Sequence, residues 1–180
     1  WVIDPIDGTR SFMLGQLHWG TLIALNEGAT PIVGVMRQPY TDETFLGSSA
    51  GTELRRGGNV TQLATRASGR LREVVVCATD PGQFAGKYEP ALARVSARAR
   101  AVRYGGDCYT PCLIAAGCAD LVIETTLKPW DVQPLIPIVE GAGGVITDWA
   151  GGPAHEASEV IIAANRDLHA EVVDALAWSA

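Results

Sequence analysis

DPIDGT, Asp4 to Thr9, is the stretch on which the reading of this chain turns. Trp1, Val2 and Ile3 before it read as the end of a buried strand. Pro5 stiffens the turn that follows, and Gly8 lets the backbone come close to a ligand. Asp4 and Asp7 then face one small space, and carboxylate oxygens are what hard divalent cations take as ligands. Thr9, Arg10, Ser11 and Phe12 open a helix whose free amide donors suit a phosphate group. The plainer reading is a surface turn, since Asp-Pro and Asp-Gly are turn formers. A second acidic element weighs against it: DLVIET (Asp120 to Thr125) reads as a strand, and LKPWDV (Leu127 to Val132) sets Asp131 where the next helix begins. A carboxylate in a helix's first turn is also an ordinary dipole partner, but together the two elements read as one divided metal site.

Outward from the motif, residues 18–62 alternate short apolar stretches with turn signals and predict an antiparallel meander. RASGR at 66–70 is a polar link, so the chain divides into an N-terminal half, 1–70, and a C-terminal half, 71–180. The second half predicts a strand at 74–78, an amphipathic helix at 89–99 opened by Pro90, and a strand at 101–104. A helix over 107–117, a strand at 120–125, a helix from Trp130, strands at 145–148 and 160–164, and a last helix after Asn165 complete it. Strands alternating with helices predict an α/β (α+β) layered fold. Pro134 and Pro137 fall inside the helix opened by Trp130, which must therefore bend or start late.

A net charge of −6 gives no basic stripe for a phosphodiester backbone, which argues against nucleic acid as a partner. No apolar run reaches the ~18 to 20 residues that a membrane-spanning helix needs. Cys77, Cys108, Cys112 and Cys118 include no CxxC pair and read as reduced, cytoplasmic usage. Cys108 and Cys112, four apart on a helix, suit either a soft metal or a buried core. His18, His155 and His169 offer no companion spacing for the former.

The sequence is similar to the inositol monophosphatase-like superfamily of Mg2+-dependent phosphatases, through DPIDGT and through WDV followed by EGAGG. DPIDGTRSF at 4–12, HWGTLIAL at 18–25, RYGGDCY at 103–109 and LKPWDV at 127–132 most resemble its histidinol-phosphate phosphatase branch. The resemblance implies a layered αβαβα sandwich of the sugar-phosphatase type, here lacking its N-terminal portion, since the chain opens on Trp1 only three residues before the motif. That portion would carry two helices, a hairpin and a glutamate that binds the first metal. It also implies two or three Mg2+ ions, a small phosphate-ester substrate and a homodimer. Asp4 would bridge two ions, the Ile6 carbonyl would ligate the first, and Asp7 with Asp131 the second. Thr9 and the absent glutamate would orient the attacking water, while the Gly8 and Thr9 amides bind phosphate oxygens; a helix cap is the plainer role for Thr9.

Substrate choice falls to residues around this cluster. Arg10 and Arg103 are each a phosphate or substrate contact, or a surface ion pair. Asp107 is a ligand or a helix cap. Glu124 stands where inositol-type relatives hold a substrate hydroxyl, and beside Asp107 it suits a cationic amine or imidazolium. Trp19 reads as core packing. The expectation is a phosphomonoesterase acting on histidinol phosphate, with inositol monophosphate as the rival substrate. A non-catalytic phosphate- or metal-binding fragment is the alternative of another class.

Overall fold

In the computed structural model, which describes residues 1–177, the apolar stretches of the first third pair in sequence order. β1 (Val2–Asp7), β2 (Gly20–Glu27), β3 (Thr30–Gln38), β4 (Glu43–Ser48), β5 (Gly51–Arg56) and β6 (Asn59–Leu63) form one six-stranded antiparallel meander. The first of these strands is followed by the one-turn helix α1 (Thr9–Met13). Period-two alternation carries through the pairing. Asp4, Leu22, Met36, Phe45 and Leu54 stand in one cross-strand row, and Leu22, Met36 and Phe45 are fully buried.

The second sheet is mixed. β7 (Val75–Ala78), β8 (Ala101–Tyr104), β9 (Leu121–Glu124), β10 (Val145–Asp148) and β11 (Val160–Ala163) lie in the order β10-β11-β9-β7-β8. β7 runs parallel to β8 and β9, and the other pairings are antiparallel. β9 and β11 are buried along their whole length, as unbroken apolar runs demand of strands covered on both faces.

Helices complete the layers. α3 (Tyr109–Ala115) and α5 (Leu135–Gly141) lie between the two sheets, while α2 (Glu89–Arg98) and α6 (Arg166–Leu176) cover the far face of the second. Asn165 caps α6, its Oδ1 accepting from the Leu168 amide at 2.9 Å. The polar link at 66–70 is stitched down at Asp120, which accepts from Arg66 Nε at 2.7 Å and from Ser68 Oγ at 2.6 Å.

The proline conflict resolves by splitting the predicted helix. A single turn, α4 (Pro129–Val132), ends before Pro134, which stands at the entrance of α5; Pro137 falls in the first turn of α5, where an amide has no helical partner to lose. α5 then presses directly on the first sheet. An atom added at the Cβ position of Gly34 would sit 1.9 Å from the Pro134 carbonyl oxygen, and at Gly47 2.3 Å from Ile138 Cα.

Two expectations change. The strand at the chain start is an edge strand and not a buried one: Ile3 is 55% exposed and Trp1 79%. Ile3, Ile23, Val35 and Leu46 form a register row on the sheet face turned away from α5, and no described element covers that face. The helix expected over 107–117 begins two residues late, because Asp107 takes a left-handed backbone, φ 39°.

Candidate metal and phosphate site

Three residues apart in a regular strand, Asp4 and Asp7 would point to opposite faces. β1 avoids this with a bulge: Asp4 pairs with Leu22 and Asp7 with Gly20, so one extra residue lies between them. The stretch expected as a turn is thus a bulged strand end, and Pro5 is tolerated there because β1 is an edge. The Ile6 amide donates to Asp4 Oδ1 at 3.0 Å, which holds Asp4 against the bulge. The chain then passes through Gly8 at φ 75°, where a side chain would meet the His18 carbonyl oxygen at 2.7 Å and the Asp107 side chain at 3.1 Å.

Asp131 arrives from the other half of the chain. It occupies the first turn of α4 and its Oδ2 accepts from the Lys128 amide at 2.8 Å. One oxygen each of Asp4, Asp7 and Asp131 lie within 4.8 Å of one another. Asp7 Oδ2 also accepts from the Cys108 amide at 2.9 Å, so the entrance of α3 fixes the third side of the cluster.

Crowding has an electrostatic consequence. Burial, with Asp131 and Asp107 adding like charge against the Cys108 hydrogen bond, pushes Asp7 up to about 7. Burial and the neighbouring Asp4 push Asp131 up to about 6. Among the described residues no lysine or arginine pairs with any of the three. Hard oxygen donors, convergent and uncompensated, fit a divalent cation of the Mg2+ type.

Beside the cluster opens a cavity of ≈ 200 Å³, with Gly8, Thr9 and Arg10 on one side and Thr79, Asp107 and Glu124 on another. Glu124 is 6% exposed; its Oε1 accepts from the Thr79 amide at 2.7 Å and hydroxyl at 2.8 Å. Burial, opposed by these bonds and helped by Asp107 and Asp7, pushes its carboxyl up to about 8.

The remaining candidates divide. Thr9 is exposed at the cavity rim, and Gly8 rather than Thr9 holds the cap position of α1. Arg10 borders the cavity while pairing with Asp80 at 2.5 Å. Asp107 is no helix cap: Ser11 Oγ donates to its Oδ2 at 2.7 Å, and the entrance of α3 falls to Asp7. Arg103 is not brought to the cluster. It borders a separate cavity of ≈ 380 Å³ with His18, Arg66 and Asp120, on the other side of the Gly105–Gly106 turn. Cys108 and Cys112 lie in the core between the sheets, and Trp19 packs edge-on against Phe12.

Thr79 and Gln83 join the site without any sequence expectation, and Ser11, expected only as part of a helix start, joins it through Asp107. Thr79 and Gln83 lie on a loop more than 40 residues from Glu124 in sequence. The run Asp80-Pro81-Gly82, a helix-start and turn signal, marks that loop in the sequence but not its place in the site.

The fold and this cluster define the class. The family model described as the inositol monophosphatase family matches residues 1–179, and the chain belongs to that family. It is 40% identical, over 99% of its length, to a protein of Arabidopsis thaliana named bifunctional phosphatase IMPL2, chloroplastic, and spans 53% of that relative. A histidinol-phosphatase of Chlorobaculum parvum is 31% identical, with 98% of this chain and 67% of that protein covered. The solved structure of an inositol monophosphatase from Zymomonas mobilis superposes with a TM-score of 0.91 at 37% identity, covering 98% of this chain and 69% of the other. Among the described residues no helix is long and apolar enough to cross a membrane.

Proposed function

We propose that this chain carries the metal- and phosphate-binding machinery of a Mg2+-dependent phosphomonoesterase acting on a small phosphate ester, with histidinol phosphate as its leading substrate. The convergence of Asp4, Asp7 and Asp131 beside the Gly8–Thr9 backbone carries this reading. Asp4 and the Ile6 carbonyl would hold one cation, Asp7 and Asp131 another, with Asp4 shared. Bound there, the cations would supply positive charge to the phosphoryl group and lower the pKa of water. The amides of Gly8 and Thr9 would bind phosphate oxygens, and the exposed Thr9 hydroxyl would orient the attacking water. Arg10 would reach the phosphate by leaving Asp80. Glu124 and Asp107 would face the leaving group, where their charge favours an amine or imidazolium. Two copies of the chain would assemble as a dimer.

One observation favours a second substrate, inositol monophosphate. A carboxyl at about 8 is protonated near neutral pH and suits uncharged hydroxyls, whereas a bound cation would have to draw its proton off first. Phosphate release from histidinol phosphate and myo-inositol 1-phosphate, with Mg2+ and with chelator, separates the two. Mg2+-dependent release that disappears in Asp131→Asn supports the enzyme. Absence of release from every ester, together with no calorimetric Mg2+ binding, overturns it.

A further inference from the structure

Two buried side-chain oxygens in this cavity have no partner, and both are acceptors once a bound cation has drawn the proton off Glu124. Glu124 Oε2 and Gln83 Oε1 are closed off from solvent and unpaired among the described residues, and both side chains line the cavity that Asp7 and Asp131 border. An acceptor stripped of water with nothing in return is unfavourable, so a ligand that donates to it is favoured.

The protein fixes the Glu124 carboxylate through its side chain and Gln83 through its backbone. Thr79 takes up Glu124 Oε1 with its amide and its hydroxyl, which leaves Oε2 as the free oxygen. Thr125, the residue after Glu124, donates its hydroxyl to the Gln83 carbonyl at 2.9 Å. The turn Pro81–Phe84, which carries Gln83, is capped by Asp80 through the Gly82 amide at 2.8 Å. The strand end at Glu124 and the loop at Gln83 are therefore one built unit.

We infer that Gln83 is a specificity residue, which with Glu124 forms a two-acceptor clamp for a substituent of the ester carrying several N–H donors, an ammonium or an imidazolium. A hydroxyl brings one hydrogen and no charge, so even neighbouring hydroxyls that reach both acceptors leave the carboxylate's charge unpaired. An imidazolium brings two N–H groups and an ammonium three. Arg10 is the one cation among the described lining residues; it is paired with Asp80 in the free chain and would be paired with the phosphate in the complex, so a positive substituent meets no unpaired guanidinium. The inference rests on the phosphomonoesterase reading for the ester, though not for the clamp itself.

The test compares the 180-residue chain with its Gln83→Leu and Gln83→Glu variants in Mg2+. Histidinol phosphate, myo-inositol 1-phosphate and p-nitrophenyl phosphate are the esters, and calorimetric titration with histidinol, which has no phosphate, reads the clamp alone. Gln83→Leu should raise KM for histidinol phosphate and Kd for histidinol by about tenfold, with kcat held and p-nitrophenyl phosphate unaffected. Gln83→Glu, of nearly the same shape, should keep or tighten both. An equal loss on all three esters, or unchanged histidinol binding in Gln83→Leu, overturns the clamp. If no ester is turned over and no Mg2+ binds, the phosphatase reading falls and the histidinol titration still decides: a wild-type chain that does not bind histidinol overturns the inference. If Gln83→Leu fails to fold by its circular dichroism melt, Gln83→Glu decides, and tenfold weaker histidinol binding in it refutes the clamp.

Discussion

Replacing Gly47 by alanine tests whether the contact between α5 and the first sheet governs the metal cluster as well as stability. The new methyl carbon would lie 2.3 Å from Ile138 Cα, 2.4 Å from its amide nitrogen and 2.4 Å from the Pro137 carbonyl oxygen. All three are backbone atoms, so no side chain can swing aside, and α5 must retreat by about 1 Å to restore ordinary contact. Overpacking of this kind costs roughly 1–3 kcal/mol, and a purely backbone clash belongs at the upper end. For a chain of this size, ~3 kcal/mol corresponds to a Tm lower by about 6–12 °C. α5 follows α4 after two residues, and α4 carries Asp131, so the same retreat should loosen the cluster and weaken Mg2+ binding by about tenfold. Circular dichroism melts and calorimetric titration measure the two effects. Gly57→Ala is the control, since nothing lies within 4 Å of that position and its cost is confined to the backbone. A Gly47→Ala variant melting within 1 °C or so of wild type would refute the close approach. A lower Tm with unchanged Mg2+ affinity would refute the coupling.

Asp4→Asn should weaken Mg2+ binding at every site, whereas Asp131→Asn should weaken chiefly one class; isothermal titrations that show equal, small effects would contradict a shared cluster. Glu124 sits at about 8 against an ordinary 4.5, with Asp107 and Asp7 facing it, so its contribution is fully present below pH 4.5 and lost as pH rises through 8. The metal-free wild type should therefore lose roughly 3–5 kcal/mol relative to Glu124→Gln between pH 5 and 9.5, read from urea melts at each pH; parallel profiles would contradict the buried carboxyl. Asp80→Asn should release Arg10 and tighten inorganic phosphate two- to fivefold in the presence of Mg2+, the scale of an exposed ion pair. Unchanged phosphate affinity would mean that Arg10 does not reach the anion.

Apart from the split of the Trp130 helix into α4 and α5, the main strands and helices were legible in the chain, because period-two alternation from Gly20 onward and the solid apolar runs of β9 and β11 report their own burial. The sequence also singled out Asp4, Asp7 and Asp131, which the fold brings together, since acidic residues beside a proline turn and a helix start are local signals. Contacts between distant segments set the rest. The bulge that turns Asp4 and Asp7 to one side is set by pairing with β2, and the sequence alone suggested a turn. Arg103 shares a short stretch with Asp107, yet two glycines at φ 92° and 112° turn the chain between them and leave the two side chains on different cavities. Gln83 and Thr79 entered the site only through bonds to a strand more than 40 residues away, and a hydrogen bond of that span leaves no periodicity in the chain to read.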